Sequence, residues 1–163
     1  MSLDKAHSLL SQIHEEDWSL THPEGSYASH HWRVIKLISK GEKTKAFGKY
    51  EGLEDLVSSI QAPIKMMTFY SILPGGELHP HRDLSGAFGM GNLRLHIPLI
   101  TSPRLSFQVS GKAVPMQPGE LWALDTSYLH SVANHGASDR IHLVLEVEAS
   151  PWLRQRLPPL GAR

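Results

Sequence analysis

The sequence predicts a mainly β domain of the jelly-roll type, flanked by α-helices on its N-terminal side. From residue 64 onward, apolar runs follow one another at spacings of roughly 8 to 15 residues, with turns rich in glycine and proline between them. Short strands with such spacing are typical of an all-β sandwich or jelly roll. The chain has 163 residues, a length that favours a single domain with a core of its own.

Two amphipathic helices and one strand are predicted in the first third of the chain. Apolar residues recur with helical spacing in residues 3–16 and in residues 52–61. The apolar run from Trp32 to Ile38 predicts a strand, and the polar, glycine-containing segment 39–52 predicts a loop. The lysines of this segment indicate a solvated loop in preference to a phosphate-binding patch, because the whole chain carries no net charge.

Five apolar runs predict the strands of the jelly roll. They are IKMMTFYSIL, NLRLHIPLI, RLSFQV, ELWALD and RIHLVLEVE. Residues 1–62 are then a helical and strand support, residues 63–148 the jelly-roll core that carries the site, and residues 149–163 a short C-terminal tail. We expect the helices to pack on the outside of the jelly roll.

The composition excludes several classes of function. Sixteen Lys and Arg balance 16 Asp and Glu, so no excess positive charge favours nucleic acid or an anionic membrane as a partner. The absence of cysteine excludes disulfides, zinc ribbons, iron–sulfur clusters and a thiol nucleophile. With no secretory signal and no apolar stretch of about 20 residues, a cytoplasmic protein is expected. The 11 histidines direct attention to metal sites built from nitrogen and oxygen.

A candidate metal site lies in the segment HPHRD. His81 and Asp83 are two positions apart, so in an extended segment both side chains project to the same side and can reach one cation. A third ligand has to come from elsewhere, and His130 follows the predicted strand ELWALD. Two histidines and one carboxylate on one face form the ligand set of non-haem Fe(II) oxygenases.

The strand RIHLVLEVE brings an arginine to the same interior. Alternation puts Arg140 and His142 on the face opposite to the apolar residues. A guanidinium that faces inward needs a carboxylate partner, because an unpaired buried charge is costly. The partner is a ligand or, in a purely structural arrangement, Glu120 or Glu146.

The strand NLRLHIPLI repeats this pattern with Arg94 and His96, which alternate with four apolar residues. Taken alone, His96 fits a core histidine and Arg94 a surface residue. Together with Arg140 and the metal site, they indicate a site for a dianionic ligand.

Three segments, HPHRD, NLRLHIPL and HSVANHGASDR, resemble the signature segments of the aspartyl/asparaginyl β-hydroxylase family. This family is a branch of the Fe(II)/2-oxoglutarate-dependent dioxygenases that also contains bacterial free-proline hydroxylases. The resemblance covers residues 64–147, with the segments in the same order and with ten residues between His130 and Arg140. It implies a double-stranded β-helix, the cupin-like form of the jelly roll.

The resemblance implies a role for the metal ligands and an activity. His81, Asp83 and His130 would hold Fe(II) and form the catalytic centre. With 2-oxoglutarate and O2 as co-substrates, the implied reaction is the hydroxylation of an unactivated C–H bond in an amino acid or an amino-acid-derived substrate.

The resemblance also implies the residues that bind the co-substrate. Arg140 would bind the distal carboxylate of 2-oxoglutarate, and Arg94 and His96 would lie near its iron-bound end. Ser71 aligns with a further co-substrate contact when a gap is allowed.

One departure from the family bears on the substrate. The vertebrate members that modify proteins carry glycine at the position of Asp83, so the resemblance is closer to the branch with three protein ligands, which includes enzymes of free amino acids. The sequence also shows no helical-repeat segment to hold a protein substrate. We therefore expect a small-molecule substrate in preference to a peptide or protein side chain.

Two other functions stay open at this point. The barrel could bind a small anion without turnover, or it could be a metal-dependent cupin-type enzyme that does not use 2-oxoglutarate, with Arg140 on the substrate itself. His79 and His135 are interpreted as rim and loop residues. Most of the remaining histidines outside the matched segments are expected at the surface; they are His7, His14, His22, His30 and His31.

Overall fold

The computed structural model describes residues 1–20 and 32–157. The α-helices of this part are α1 (Leu3–Ser11), α2 (Leu53–Ser59) and α3 (Pro151–Arg154). Its strands are β1 (Ser19–Leu20), β2 (Trp32–Ser39), β3 (Glu42–Lys43), β4 (Ile64–Ile72), β5 (Glu77–His81), β6 (Asn92–Ile100), β7 (Leu105–Val109), β8 (Lys112–Ala113), β9 (Trp122–Leu124), β10 (His130–Asn134) and β11 (Arg140–Glu148). Within these ranges, no helix has the length and apolar character needed to cross a bilayer.

The strands form two antiparallel sheets that pack face to face. The larger sheet has the order β1-β2-β4-β11-β6-β9, and β3 also pairs with β2. The smaller sheet has the order β5-β10-β7-β8. Side chains of both sheets, among them Ile72, Phe107 and Val132, form an apolar cluster between them. The predicted mainly β fold is confirmed.

β11 lies at the centre of the larger sheet, between β4 and β6. Alternate apolar residues from Ile141 to Val147 belong to one core cluster with buried residues of the helices. Arg140 and Val144 alternate with them and line a cavity between the two sheets. The two faces follow the alternation predicted from the sequence, because successive side chains of a strand point to opposite faces.

The helices cover the outer face of the larger sheet, as expected. Ala6 and Leu9 of α1 and Leu53 of α2 are buried in the same core cluster as the apolar face of β11. Both helices are shorter than predicted. α1 ends at Ser11, before the predicted end at residue 16, and α2 begins after Gly52, whose φ of +87° lies in the left-handed region and does not continue a helix.

The segment 39–52 is less open than a plain loop, because it contains β3 and a short 3₁₀ helix. Lys43 pairs with Glu54 at 2.6 Å, and Lys49 pairs with Asp17 at 2.6 Å. These two lysines are therefore compensated by carboxylates, which fits a solvated surface better than a phosphate site.

The buried side chain of Asn134 ties three strands together. Its Nδ2 donates to the carbonyl oxygens of Ile72 and Ser138, both at 2.9 Å, and its Oδ1 accepts from the N–H of Gly136 at 3.0 Å. The end of β10 is thereby fixed to the end of β4 and to the segment that enters β11. These strands carry the side chains of the site described next.

Candidate metal centre and anion pocket

Three side chains with metal-binding atoms meet at the edge of the smaller sheet. His81 ends β5, His130 begins β10, and the two are directly opposite each other in this antiparallel pair. Oδ2 of Asp83 lies 3.7 Å from Nε2 of His81 and 3.8 Å from Nε2 of His130. Each of the three residues offers a ligand atom within 4.8 Å of the others. The structure thus brings together the three ligands proposed from the sequence.

Both imidazoles are oriented by backbone carbonyls. Nδ1 of His81 is 2.8 Å from the oxygen of His79, and Nδ1 of His130 is 3.0 Å from the oxygen of Tyr128. These contacts assign the proton to Nδ1 and leave the lone pair of Nε2 directed at the other ligands. Metal-ligating histidines in proteins are commonly held in this way.

The ionisation of the ligands follows from burial and from their mutual contacts. Burial lowers the pKa of His130, and the carbonyl contact offsets this only in part. Burial also acts to lower the pKa of His81, but Asp83 and the His79 carbonyl outweigh it and raise that pKa above its usual value. Burial would raise the pKa of Asp83, but His81 and Arg94 hold it well below the usual range of a carboxyl. Asp83 is therefore an anionic ligand at neutral pH.

The backbone around Asp83 is fixed by Thr126. The N–H of Asp83 donates to the carbonyl of Thr126 at 2.8 Å, and Oγ1 of Thr126 donates to the carbonyl of Asp83 at 2.9 Å. Gly86 lies close beside this pair, where a Cβ atom would be 2.5 Å from Oγ1 of Thr126 and 3.3 Å from Nε of Arg94. The close approach explains why this position needs glycine.

Arg94 bridges two carboxylates on the interior side of β6. Its Nη1 donates to Oδ2 of Asp83, and its Nη2 lies 3.5 Å from Oε2 of Glu146. Arg94 is therefore not a surface residue, which was the interpretation of its sequence position taken alone. It contacts the same oxygen of Asp83 that faces the two histidines, so it lies at the edge of the metal centre.

Arg140 is buried, with 4% of its surface exposed, and makes no ion pair with a carboxylate of the described residues. Its Nη2 is 2.7 Å from Nδ1 of His142, and its Cζ lies 5.8 Å from the centre of the Phe107 ring. Burial lowers the pKa of Arg140 to about 9, so the guanidinium remains a cation at pH 7. A buried cation with no carboxylate partner among the described residues is costly, and an anion bound beside it would remove that cost.

The purely structural partners considered for Arg140 are engaged elsewhere. Oε2 of Glu120 accepts from Nε1 of Trp122 at 2.7 Å and from the N–H of Gln117 at 2.8 Å. Glu146 lies beside Arg94. The arrangement in which Glu120 or Glu146 neutralises Arg140 is therefore not the one found.

His96 lies between the two arginines. Its ring is buried, stands edge to face against Phe107 at 5.7 Å, and has Nδ1 at 3.5 Å from Nδ1 of His142. Burial, and after it the nearby charges of Arg140 and Arg94, keep its pKa well below the usual value. His96 is thus a neutral hydrogen-bonding group in this interior.

One cavity of about 200 Å³ joins the metal ligands to Arg140. Six of the seven residues proposed from the sequence line it: His81, Asp83, Arg94, His96, His130 and Arg140. The remainder of the wall is formed by Trp32, Tyr70, Ile72, Leu78, Phe107, Thr126, Val132 and Val144. Polar groups converge on a concave space that is walled in part by apolar side chains, which is the usual form of a small-molecule site.

Ser71, the seventh residue proposed from the sequence, does not line this cavity. Its side chain points to the face opposite to the cavity, where Oγ donates to Oδ2 of Asp139 at 3.2 Å. Alternation along β4 puts the neighbouring Tyr70 into the cavity instead. The alignment of Ser71 depended on a gap, and a shift of one residue moves a strand side chain to the other face.

Sequence reasoning also missed the aromatic side of the cavity. The rings of Trp32 and Tyr70 are 5.2 Å apart, and burial raises the pKa of the Tyr70 phenol. Alternation along IKMMTFYSIL puts Tyr70 and Phe69 on opposite faces of the strand, so the sequence held a signal that could have identified Tyr70. Trp32 is brought in by the pairing of β2 with β4, for which the sequence holds no local signal.

The other histidines of the described ranges lie away from the cavity. His79 and His135 are exposed, and Nδ1 of His79 is 3.8 Å from Oε2 of Glu77. His7 and His14 are exposed as well. His22, His30 and His31 lie outside the described residues.

Larger cavities occur elsewhere but lack this chemistry. One of about 420 Å³ lies between α1 and α2, and one of about 490 Å³ lies between β8 and the loop that follows Ile100. Among the described residues, His81, Asp83 and His130 form the one cluster that offers three ligand atoms to a metal. The smaller cavity is therefore the candidate functional site, because it contains the cluster that could bind a metal.

Comparison with known proteins adds a family and a fold. Residues 4–150 match the family described as Aspartyl/Asparaginyl beta-hydroxylase. Since the match spans most of the chain, it includes both the N-terminal helices and the sheets.

Solved structures similar to this chain share little sequence identity with it. The polyketide cyclase RemF from Streptomyces resistomycificus is 12% identical with a TM-score of 0.50, over 90% of this chain and 92% of that one. A chain from the crystal structures of the DMSP lyases RdDddP and RnDddQII is 14% identical with a TM-score of 0.50, over 83% of this chain and 58% of that one. A Cupin 2 conserved barrel domain protein from Salinispora arenicola is 13% identical with a TM-score of 0.47, over 88% and 90%. At these identities the likeness concerns the fold alone.

Proposed function

The chain belongs to the aspartyl/asparaginyl β-hydroxylase family, and from this premise we propose that it is an Fe(II)- and 2-oxoglutarate-dependent dioxygenase. Its substrate is an amino acid or an amino-acid-derived molecule, hydroxylated at an unactivated C–H bond. One observation carries the proposal: a His-Asp-His cluster and a buried arginine without a carboxylate partner among the described residues share one cavity.

The donor set fits Fe(II). Two imidazole Nε2 atoms, each with its Nδ1 directed at a backbone carbonyl, and one anionic carboxylate face a common point. His81, Asp83 and His130 would hold the metal on one side and leave the other side to the co-substrates. When bound, the iron couples the oxidative decarboxylation of 2-oxoglutarate to succinate and CO2 with the transfer of the second atom of O2 to the substrate as a hydroxyl.

Arg140 orients the co-substrate. Its guanidinium belongs to the larger sheet and lines the same cavity as the ligands, where it can bind the distal carboxylate of 2-oxoglutarate by two hydrogen bonds. The contact replaces the missing acid partner and so removes the cost of an isolated buried charge. It also orients the bound 2-oxoglutarate, so that its 2-oxo acid end faces the metal centre.

Arg94 and His96 serve the metal-facing end. Arg94 contacts Asp83 directly, so it holds the carboxylate ligand and offers a second cation to the 1-carboxylate of 2-oxoglutarate. Neutral His96 adds a hydrogen bond without adding charge. Tyr70 and Trp32 form the apolar wall that limits the access of water to this part of the cavity.

We propose a small molecule as the substrate. Asp83 supplies the third protein ligand, as in the branch of the family that includes enzymes of free amino acids. The cavity of about 200 Å³ has little room beyond the co-substrate, which favours a small substrate. We propose no role for nucleic acid or a membrane, because the chain carries no net charge.

The experiment is anaerobic absorption spectroscopy followed by product analysis. Fe(II) and 2-oxoglutarate together should give a weak visible charge-transfer band in the wild type and in His135→Asn, which changes an exposed histidine, but not in Asp83→Ala. Succinate formation is then screened over free amino acids, peptides and amino-acid-derived metabolites. A protein without the band is a binding protein or an enzyme independent of 2-oxoglutarate, and the proposal fails.

A further inference from the structure

We propose that His142 is a positioning and specificity-determining residue, whose neutral ring holds Arg140 by a hydrogen bond and leaves its positive charge for the co-substrate. The inference rests on the proposed function, because it concerns how the site selects a 2-oxo acid with a second carboxylate. His142 does not line the cavity that holds the metal ligands, and it acts through Arg140.

The contact itself sets the role of each nitrogen. Nη2 of Arg140 lies 2.7 Å from Nδ1 of His142. A guanidinium has donors only, so Nδ1 must accept, and the ring proton is on Nε2. His142 has no exposed surface, which excludes water as a competitor for this bond. The bond fixes the guanidinium group of Arg140 along β11, the strand on which both residues lie.

The charge of the pair is what distinguishes this arrangement from an ordinary ion pair. Burial and the neighbouring Arg140 and His96 keep the pKa of His142 well below its usual value, so the ring is neutral. A carboxylate at position 142 would satisfy the same donor but would also neutralise the cation. The imidazole satisfies one donor and keeps a net charge of one at this end of the cavity.

The cost of this arrangement supports a functional role. Nε2 of His142 and Nε of Arg140 are both buried without a hydrogen-bond partner in the described ranges, and each unsatisfied buried group destabilises a fold. On the same face of β11, two positions further, the chain has the apolar Val144. An apolar residue at position 142 would avoid part of this cost but would leave Arg140 without its acceptor.

Three substitutions separate the functions of the ring. His142→Leu removes the acceptor, His142→Asn retains an amide oxygen near the position of Nδ1, and His142→Asp provides a carboxylate that competes with the co-substrate for Arg140. His135→Asn, at an exposed histidine of the adjacent turn, is the matched control. The probe is 2-oxoglutarate, titrated calorimetrically into the Fe(II) protein without oxygen, with 2-oxobutyrate as the analogue that lacks the second carboxylate.

We expect Kd for 2-oxoglutarate to rise at least about tenfold in His142→Leu and about a hundredfold in His142→Asp, since hydrogen bonds between charged groups are the strong ones. His142→Asn should remain within about threefold of the wild type. The weak binding of 2-oxobutyrate should change little in all variants. In turnover, KM for 2-oxoglutarate should rise in His142→Leu while kcat stays nearly constant, because the residue does not touch the reacting atoms.

Unchanged affinity in folded His142→Leu and His142→Asp overturns the inference. An equal loss for both ligands in every variant, His142→Asn included, also overturns it, because that result indicates a packing role alone. Should His142→Leu fail to fold, the comparison of the Asn and Asp variants decides, with far-UV circular dichroism as the measure of folding. If wild-type protein binds no 2-oxoglutarate, the proposed function itself fails, which is a distinct result.

Discussion

His81 and His130 are cross-strand partners, with their ring centres 4.2 Å apart. The last residue of β5 and the first residue of β10 therefore place their imidazoles side by side on the same face of the smaller sheet. Directly after His130 the pairing with β5 shifts register, as at a β-bulge, a feature that often lies beside active sites and re-aims a side chain. The geometry of the candidate metal centre thus depends on the register of one strand pair.

Replacing Arg140 by alanine should raise the concentration of 2-oxoglutarate needed for half-maximal succinate formation at least tenfold. The expected loss is on the order of 2 kcal/mol, the strength of a charged hydrogen-bonded contact. The measurement is the initial rate as a function of 2-oxoglutarate concentration. Arg104→Ala, at an exposed arginine, serves as the control, and an unchanged requirement in Arg140→Ala would contradict the assignment of the co-substrate site.

Replacing Gly86 by alanine should weaken metal binding without unfolding the protein. The new Cβ would be 2.5 Å from Oγ1 of Thr126 and 3.3 Å from the side chain of Arg94, so the two groups that hold Asp83 have to move. We expect an affinity for Fe(II) about tenfold lower, the smaller end of the effects seen when a group that orients a metal ligand is removed.

The matched control for this test is Gly89→Ala, since a Cβ at Gly89 meets nothing within 4 Å. Both variants are titrated with Fe(II) under anaerobic conditions. Equal affinities in the two variants would show that the close approach of Gly86 has no bearing on the metal centre.

Replacing Asn134 by alanine should destabilise the fold by about 2 to 4 kcal/mol. The substitution removes two donated bonds and one accepted bond and leaves the carbonyls of Ile72 and Ser138 without this donor, and unsatisfied buried groups cost about 1 to 3 kcal/mol each. The measurement is urea unfolding. Gln108→Ala, at an exposed position of β7, should change the stability by less than about 0.5 kcal/mol. A similarly small change in Asn134→Ala would refute the role of this side chain.

The stability of the metal-free protein should fall as the pH drops from 6.5 to 5.5. Burial keeps the pKa values of His96 and His142 well below their usual value, so below about pH 6.5 the unfolded chain binds protons that the folded chain does not. Each such histidine contributes up to about 1.4 kcal/mol per pH unit. His130, whose pKa burial also lowers, adds to the same trend.

Two comparisons make this pH dependence specific. His81 has a raised pKa and so acts in the opposite sense, but only above about pH 6.5, where its unfolded form loses the proton first. His135→Asn should retain the slope of the wild type, whereas His142→Asn should reduce it. The free energy of unfolding in urea, measured at several pH values, tests this, and a flat profile between pH 5.5 and 6.5 would contradict it.

Much of the site could be predicted because a strand has a fixed period of two. Alternation in β6 and β11 was sufficient to assign Arg94, His96, Arg140 and His142 to the interior face, whatever strands lie beside them. The pair His81 and Asp83 was predicted from the same two-residue spacing, although β5 ends at His81 and Asp83 lies just beyond it. The third ligand, His130, was proposed from its place after the predicted strand ELWALD, and the family resemblance supported that choice, because its distance along the chain gives no geometric information.

Other parts required the tertiary structure. Tyr70 rather than Ser71 faces the cavity, although both lie on a correctly predicted strand, because the inner face of β4 is fixed by its register with β2 and β11. The ends of α1 and α2 and the ordering of segment 39–52 likewise depend on contacts with distant residues. Local propensity does not contain that information.

The sequence by itself determined the class of fold, the inward faces of the strands and the chemical types of group available: imidazole, carboxylate and guanidinium, with no thiol. Only the tertiary structure decided which groups meet. The meeting of His81 with His130 and the contact of Arg94 with Asp83 depend on register and packing between separate segments. Packing also leaves Arg140 with a neutral histidine and no acid among the described residues as its partner. Residues far apart in the chain are brought within hydrogen-bond distance only when all the strands between them have paired, which is a property of the whole sheet.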